Sequence, residues 1–364
     1  MFAVQASDQL ASARLQQHLD LMTMGAWESG SWKPASRCSL GATMCPRRRQ
    51  QGKWWVHVVG DPVACFIFAA WLSALNGTVR DAQFPRHEMS GVPLCSFAAV
   101  TNNGTKWSAG RAQCAPVYTG TCASHCEWPR SDRQADTSLV AQGQNWKLSF
   151  EDWKAPDRNN TDKQHLAGQL LLEKSNIPNV VFLTLGVWEA FTLDAYRKGN
   201  LASPYTPSGQ HARHEYTVRV NRSLALATPL RDALASRGSL LVVLSTPQCL
   251  QQQRTYWRQL FGRSGGWPTA PFEELVNLGN QLSAGWARSA QSFGLPVFFL
   301  DAAKVIHTAP RMMHSPCFEH HPHGVLSDTI VAIAMTALCK MNLTRHRGGH
   351  TSIPGYLRHH TGAG

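Results

Sequence analysis

The sequence predicts an α/β fold in which helices cover both faces of a mostly parallel sheet. Continuous apolar runs, typical of strands buried on both faces, alternate along the chain with segments of helical periodicity. The 364 residues include 43% hydrophobic residues and 13 Trp, enough for a large core, which excludes a disordered chain. No internal repeat interrupts the alternation, so we expect three layers, helix on sheet on helix.

The first predicted unit is a strand, a turn and a helix. Lys53–Val59 is a β-rich run that ends at Gly60, and an apolar helix begins at Pro62. Its most apolar part, Val63–Leu75, has 13 residues, too few to span a bilayer, so we interpret it as a buried helix. Residues 80–150 then lose periodicity and carry several cysteines, which predicts a long, Cys-rich, disulfide-tied insertion.

Helices and strands continue to alternate after the insertion. The predicted helices are His165–Lys174, a short one within Trp188–Lys198, Tyr216–Ser236, Phe272–Phe293 and Ser327–Lys340. The predicted strands are Asn179–Gly186, Ser239–Ser245 and Leu295–Asp301. Sites in parallel sheets lie beyond the carboxyl ends of the strands. That edge would collect Asp61, Pro62, Gly186–Trp188, Thr246–Gln248 and the segment after Asp301.

These elements predict a single large domain. We expect it to occupy residues 46–345, after an N-terminal extension of residues 1–45 and before a flexible basic and His-rich tail of residues 346–364.

The positive charge is diffuse. Lys and Arg number 35 against 23 Asp and Glu, a formal balance of +12, yet only Arg47–Arg49 form a basic run. The other basic residues lie between Trp, Pro and Gly, without a regular basic helix face or a known nucleic-acid module. We therefore expect no nucleic-acid partner. An acidic polysaccharide or an anionic surface suits the charge, and a composition bias without any partner is the alternative.

Cysteines and glycosylation sequons favour the secretory pathway. The ten Cys show no paired zinc-ribbon spacing, and their even number suits disulfides. Five N-x-S/T sequons begin at Asn76, Asn103, Asn159, Asn221 and Asn342. We expect a Golgi-lumenal or extracellular glycoprotein. Residues 1–34 contain no apolar signal region. Either a signal or anchor lies upstream, or the compartment is different. We expect membrane association only if such an anchor is present.

The predicted edge carries motifs that resemble the SGNH hydrolase superfamily, in particular its PC-esterase group. This group includes the trichome-birefringence-like polysaccharide O-acetyltransferases and the sialic-acid O-acetylation proteins. Gly52-Lys53, a strand and Gly60-Asp61-Pro62 are similar to the family's opening, which ends in Val-Gly-Asp-Ser. Leu185–Trp188 is similar to the family's oxyanion-hole block, and His320–Thr329 to its C-terminal block. The resemblance implies an SGNH, flavodoxin-like fold, acyl-ester chemistry on a glycan, and no cofactor; it does not identify the acyl donor.

Pro62 stands at the position where the family has its nucleophilic serine. Proline has no hydroxyl to attack an acyl carbon and no backbone N–H to serve as an oxyanion donor. Loss of a triad nucleophile alone lowers turnover by about 10⁶. A purely structural alternative is open: Asp61 is a good helix N-cap and Pro62 suits the first helical position. Cys65 replaces a family Arg, and we interpret it as a buried structural thiol.

The C-terminal block departs as well. The residues three before His320, His321 and His323 are Cys317, Phe318 and His320, so the family's Asp-x-x-His spacing lacks its carboxylate. His320, His323 and Glu319 remain the candidate catalytic residues, and Glu319 or Asp301 could orient an imidazole if the loop folds back.

The same His-rich loop has a zinc-like composition. His307, His314 and Cys317 precede the histidines named above, but the spacing matches no standard zinc module, so we predict a solvated loop and no metal.

Two functions follow from the resemblance and its departures. One is a glycan O-acetyltransferase or acetylesterase relative that is impaired in Ser-dependent acyl transfer. The other is a non-catalytic glycan-binding or regulatory pseudoenzyme. Gly186 would be the oxyanion-block residue in either case, and Trp188, which follows it closely, is the expected sugar-stacking residue.

Overall fold

The structure is a computed structural model. It describes residues 2–35, 54–60, 62–74, 77–79, 94–101, 106–115, 125–127, 138–142, 146–152, 177–247, 269–309 and 325–345. The helices are α1 (Phe2–Thr23), α2 (Pro62–Ala74), α3 (Val187–Phe191), α4 (Asp194–Arg197), α5 (Gln210–Ser236), α6 (Ala270–Ser292), α7 (Ala302–His307) and α8 (Val325–Arg345). The strands are β1 (Gly25–Glu28), β2 (Ser31–Pro34), β3 (Trp54–Gly60), β4 (Gly77–Val79), β5 (Leu94–Thr101), β6 (Lys106–Ala115), β7 (His125–Glu127), β8 (Ser138–Gln142), β9 (Trp146–Asp152), β10 (Val180–Thr184), β11 (Leu240–Leu244) and β12 (Val297–Leu300).

A six-stranded sheet forms the centre of the fold, in the order β12-β11-β10-β3-β9-β8. All neighbours from β12 to β9 pair in parallel, and β8 pairs with β9 in the antiparallel direction at the edge. Numbered along the chain, the parallel strands have the order 2-1-3-4-5 of flavodoxin-like folds. The predicted fold class is confirmed.

Alternate residues of the parallel strands supply two cores. Val56, Val58 and Phe182 belong to the core that packs against α1, α2, α7 and α8. Trp55 and Val181 point to the opposite face, where α3, α5 and α6 cover them. Because successive side chains on a strand point to opposite faces, the continuous apolar strands supply both cores. Helices therefore cover both sides of the sheet.

The N-terminal segment packs on the first of these cores. Leu15, Leu19 and Met22 of α1 are buried in it, together with Trp32 of the hairpin β1–β2. The indole Nε1–H of Trp32 donates to the carbonyl of Met22 at 2.9 Å, which ties the hairpin to the helix. Part of the segment expected to be an extension thus forms part of the helical layer.

The segment expected to be an insertion contributes to two sheets. Strands β4–β7 form a separate antiparallel sheet, whereas β8 and β9 join the central one. Two further details differ from the sequence prediction: α5 begins at Gln210 rather than Tyr216, and α7 follows β12 directly. Polar residues at the start of α5 concealed its periodicity, and α7 is too short to show one. The predicted helix His165–Lys174 and the tail of residues 346–364 lie outside the described residues.

Candidate site at the carboxyl ends of the parallel strands

The order of the parallel strands reverses between β3 and β10. The chain leaves β3 to build β9 on one side, and β10 to build β11 on the other. The crevice beyond the carboxyl ends at such a reversal is the usual ligand site of a doubly wound sheet. In the register of the two strands Gly60 pairs with Thr184, two residues before Gly186. The fold therefore brings Gly60, at the end of β3, close to the end of β10 and to Gly186, which follows it.

Two glycines allow this close approach. Gly60 has φ +156°, and a Cβ there would overlap the Thr184 hydroxyl and lie 2.6 Å from the Thr184 carbonyl oxygen. Gly186 has φ +119°, and a Cβ there would lie 3.0 Å from the Tyr216 hydroxyl oxygen. Both backbone conformations disfavour residues with side chains. The strand ends therefore depend on glycine at both positions.

Pro62 is the first residue of α2, as its fixed φ and missing N–H favour. Cys65 lies in the first turn of the same helix. Asp61 falls outside the described residues, so its predicted N-cap role stays a prediction.

The polar atoms of Gly186 are engaged within the protein. Its N–H donates to the Glu189 carboxylate at 2.8 Å, and its carbonyl accepts from the Tyr216 hydroxyl at 3.2 Å. Glu189 is 1% exposed, and its other oxygen accepts from the Ser223 hydroxyl at 2.6 Å. The N–H that the resemblance would use as an oxyanion donor is therefore bound to a carboxylate.

The ends of β11 and β12 are closed by similar contacts. The Ser245 hydroxyl donates to Asp301 at 2.8 Å and accepts from the Ala303 N–H at 2.8 Å. The same Asp301 oxygen accepts from the Lys304 N–H at 3.2 Å and caps α7. The Thr246 backbone exchanges two hydrogen bonds of 2.8 Å with the Asn280 side chain. At least one oxygen of Asp301 thus supports the start of α7.

Trp188 is half-buried and packs against the core formed with α1, α2 and α8. Its expected role in sugar stacking stays a prediction. His320, His323 and Glu319 lie outside the described residues, as do His314, Cys317 and His321 of the same loop. His307, the first histidine of that cluster, is the half-buried last residue of α7.

Two side chains of this part of the molecule have shifted acidities. Burial raises the pKa of the Asp328 carboxyl, in the first turn of α8, above its ordinary value. Burial also raises the pKa of the Tyr196 hydroxyl, which lies on α4, so the phenol stays protonated.

Among the described residues no cluster of three or more His, Cys, Asp or Glu could hold a metal ion.

Sequence patterns did not indicate Glu189, Ser223 or the Tyr205–Arg213 pair. Glu189 has one available signal, its position three residues after a helix-capping glycine, where a carboxylate can accept the cap N–H. The Arg213 guanidinium lies over the Tyr205 ring, 5.5 Å from its centroid, on the loop and helix that follow α4. Only the folded chain brings these two residues together.

No protein-family model matches the chain, and no curated protein matches it either. Among solved structures, the chain is similar to the crystal structure of Est24, a carbohydrate acetylesterase from Sinorhizobium meliloti. The identity is 11%, the match covers 80% of this chain and 100% of Est24, and the TM-score is 0.34. No helix among the described residues is both long and apolar enough for a membrane crossing.

Proposed function

We propose that the protein is related to the glycan O-acetyltransferases and acetylesterases of the PC-esterase group and is impaired in Ser-dependent acyl transfer. The observation that carries the proposal is the pairing of Gly60 with Thr184. This register brings Gly60, the last residue of β3, beside the end of β10, two residues before Gly186. It supports the proposal because the resemblance expects the nucleophile and oxyanion blocks to meet at the reversal of strand order.

The mechanism implied by the family assigns one task to each block. A serine hydroxyl attacks the acyl carbon, an imidazole accepts its proton, and backbone N–H groups stabilise the oxyanion. A sugar hydroxyl or water then accepts the acyl group and releases the serine. Pro62 supplies neither hydroxyl nor N–H, whereas His320 and His323, with Glu319, remain candidates for the proton-transfer step.

A non-catalytic glycan-binding or regulatory protein is the second candidate. The Gly186 N–H favours it, because a buried carboxylate accepts this donor at 2.8 Å. An oxyanion would have to displace Glu189 to use the same N–H. A strand-order reversal that lacks these two catalytic parts suits binding better than turnover.

Acetyl-ester hydrolysis by the natural chain and by Pro62→Ser tests the proposal. With 4-nitrophenyl acetate and an acetylated polysaccharide as substrates, we expect background rates for the natural chain. We expect Pro62→Ser to gain a covalent acetyl group at residue 62, detectable by peptide mass spectrometry. Adding His320→Ala or His323→Ala to this variant should lower the extent of acetylation. Pro229→Ser, on an exposed position of α5, introduces serine elsewhere and should gain nothing.

Two outcomes would overturn the proposal. Fast turnover by the natural chain, abolished by His320→Ala, would show that another nucleophile operates. A folded Pro62→Ser that neither forms an acetyl-enzyme nor binds any acetylated glycan would remove the relation to acyl-ester chemistry.

The secretory compartment is also a proposal. The backbone register of β6 and β7 pairs Cys114 with Cys126, which supports the expectation of disulfides. Asn221 of one sequon is exposed on α5. Disulfide mapping and N-glycosidase treatment of protein from a eukaryotic host would measure both features; free cysteines and an unmodified Asn221 would contradict this compartment.

A further inference from the structure

Trp188 connects the two helical layers of the fold. It belongs to α3, whose Val187 and Ala190 are buried in the core that α5 and α6 cover. The Trp188 side chain packs instead against the core on the opposite face of the sheet, which α1, α2 and α8 cover. Because α3 begins three residues after the end of β10, the indole reaches this second core by passing beyond the carboxyl end of the strand. Trp188 therefore lies across the edge of the sheet at which the candidate site is located.

The helix that carries Trp188 depends on its neighbours for its position. α3 has only five residues, and so short a helix is not stable by itself, because it closes too few hydrogen-bonded turns. Two side chains of α5 hold the start of α3. The Tyr216 hydroxyl donates to the Gly186 carbonyl, and the Ser223 hydroxyl donates to the Glu189 carboxylate.

Arg219 holds the other end of α3. It lies on the same face of α5 as Tyr216 and Ser223, because the three residues have the spacing i, i+3 and i+7. One guanidinium nitrogen donates to the Thr192 hydroxyl at 2.8 Å, and another donates to the Glu215 carboxylate at 2.7 Å. Only 12% of the Arg219 side chain is exposed, so water competes little for these donors. Contacts from α5 thus hold α3 at both ends.

Thr192 connects this guanidinium to the backbone of Trp188. Thr192 is the C-cap of α3, and its N–H donates to the Trp188 carbonyl at 3.1 Å. Its hydroxyl donates to the same carbonyl at 3.0 Å while it accepts from Arg219. A continuous path of hydrogen bonds therefore runs from α5 through the Thr192 hydroxyl to Trp188.

A half-buried indole at this edge of the sheet suits contact with a ligand. Tryptophan presents a large, rigid apolar surface on which an aromatic or apolar group can stack. The contact depends on where the backbone carries the ring, because a displacement of about 1 Å in a site can cost about 10²-fold in rate. The groups that fix the last turn of α3 therefore affect the site without touching the ligand.

We propose that Trp188 forms one wall of the ligand site and that Arg219 and Thr192 are the positioning residues that hold it there. The inference rests on the proposed function only for the reaction by which ligand contact is measured. It adds to that function two residues, 27 positions apart, that no motif of the resemblance contains.

Fluorine NMR of the full chain labelled with 5-fluorotryptophan tests the placement of Trp188. The resonance that disappears in Trp188→Phe assigns the signal. We expect Arg219→Met and Thr192→Val each to shift or broaden this resonance, because each breaks the same path of hydrogen bonds. Together they should change it no more than either does alone. Thr192→Val leaves the Arg219–Glu215 pair intact, so it tests the path even if Arg219→Met folds poorly.

Two variants of α5 serve as matched controls. Thr228→Val removes a hydroxyl that donates within its own helix, to the Leu224 carbonyl at 3.2 Å. Arg222→Met removes a guanidinium from an exposed position. Neither should alter the Trp188 resonance. Arg219→Lys retains a cationic donor and should keep more of the natural signal than Arg219→Met does. Urea denaturation verifies that each variant is folded.

Acetylation of the Pro62→Ser chain by 4-nitrophenyl acetate measures ligand contact. Adding Arg219→Met or Thr192→Val should raise the half-saturating ester concentration by about fivefold, because the aromatic ester loses a stacking contact of about that worth. The maximal rate should change by less than about twofold. A merely structural role would instead lower the folded fraction, and with it the maximal rate, at an unchanged half-saturating concentration.

Three results would overturn the inference. The first is an unchanged Trp188 resonance in both Arg219→Met and Thr192→Val, and the second is an equal change in the two controls. The third is a displaced resonance with an unchanged half-saturating concentration, because Trp188 would then not contact the ligand. A displaced resonance together with no acetylation of Pro62→Ser would contradict the proposed function alone and would support the placement of Trp188 by Arg219.

Discussion

Gly60 keeps the two strand ends at the candidate site together by having no side chain. A Cβ would meet both the hydroxyl and the carbonyl of Thr184, and the carbonyl belongs to a strand that cannot move away. We expect Gly60→Ala to lower the free energy of unfolding by about 3 kcal/mol or more, from overlap and backbone strain together. Urea denaturation measures the change.

Gly199 supplies the matched control for this prediction. It also has a positive φ, +69°, but a Cβ there would meet nothing within 4 Å. Gly199→Ala should therefore cost only the backbone term, about 1 kcal/mol. Equal losses for the two variants would show that backbone conformation, and not the contact with Thr184, explains the glycine at position 60.

Sequence patterns indicate single residues of the site unevenly. Gly60, Pro62 and Gly186 stand at the ends of apolar runs, where turns and strand ends are visible in the sequence. Ser223 contacts Glu189 from 34 positions away, on a helix whose other buried residues are mostly apolar. No periodicity records such a contact, because it depends on how two layers of the fold meet.

At the scale of elements, α1 covers β12, the strand at which the described order of the central sheet ends. The Gln16 carboxamide donates to the Phe299 carbonyl at 2.8 Å and accepts from the Phe299 N–H at 2.9 Å, as a neighbouring strand would. It also accepts from Gln291 and donates to Asp20, each at 2.8 Å, so the amide is fully engaged. β12 is the last strand in the described order of the central sheet. An edge strand without a covering element favours aggregation.

Replacement of Gln16 should therefore destabilise and expose this edge. We expect Gln16→Ala to lower the free energy of unfolding by about 2–3 kcal/mol, since two backbone groups lose a partner, and to increase light scattering on mild heating. Gln17→Ala, at an exposed neighbouring position, should change neither quantity. Similar behaviour of both variants would contradict a role for Gln16 at the edge.

Most central elements were predictable because each buried strand is a continuous apolar run bounded by turn residues. β3, β10, β11 and β12 follow such runs, and α6 shows a clear apolar face. β9 was not predicted, although the alternation of apolar and polar residues in WKLSFED is the period-2 pattern of a strand. Most of this run lies within residues 80–150, which we interpreted as an insertion without periodicity, whereas Leu148 of this strand is buried in the core. The position of β9 beside β3 is a consequence of the 2-1-3-4-5 order.

At the scale of the whole molecule, the N-terminal segment belongs to one layer of the fold. Trp27 Nε1–H donates to the Val305 carbonyl of α7 at 2.9 Å, and its ring packs edge-on to Trp32 with centroids 5.6 Å apart. Leu19 of α1 is 3% exposed in the same core as Ile330 of α8. A charged, weakly periodic N-terminal sequence concealed this packing, which depends on the sheet beneath it.

Leu19 and Leu21 allow a direct test of whether α1 folds with the domain. Leu19→Ala removes a buried side chain and should lower the free energy of unfolding by about 2–4 kcal/mol. Leu21 is 39% exposed on the same helix, so Leu21→Ala should change the free energy of unfolding by less than about 0.5 kcal/mol, while the change in helix propensity is the same in both variants. Unfolding followed both by tryptophan fluorescence and by far-UV circular dichroism should give one coincident transition in each variant. If Leu19→Ala instead leaves the main transition unchanged and melts only a small helical fraction, α1 is a separate appendage, and the layer that covers α2 and α8 is complete without it.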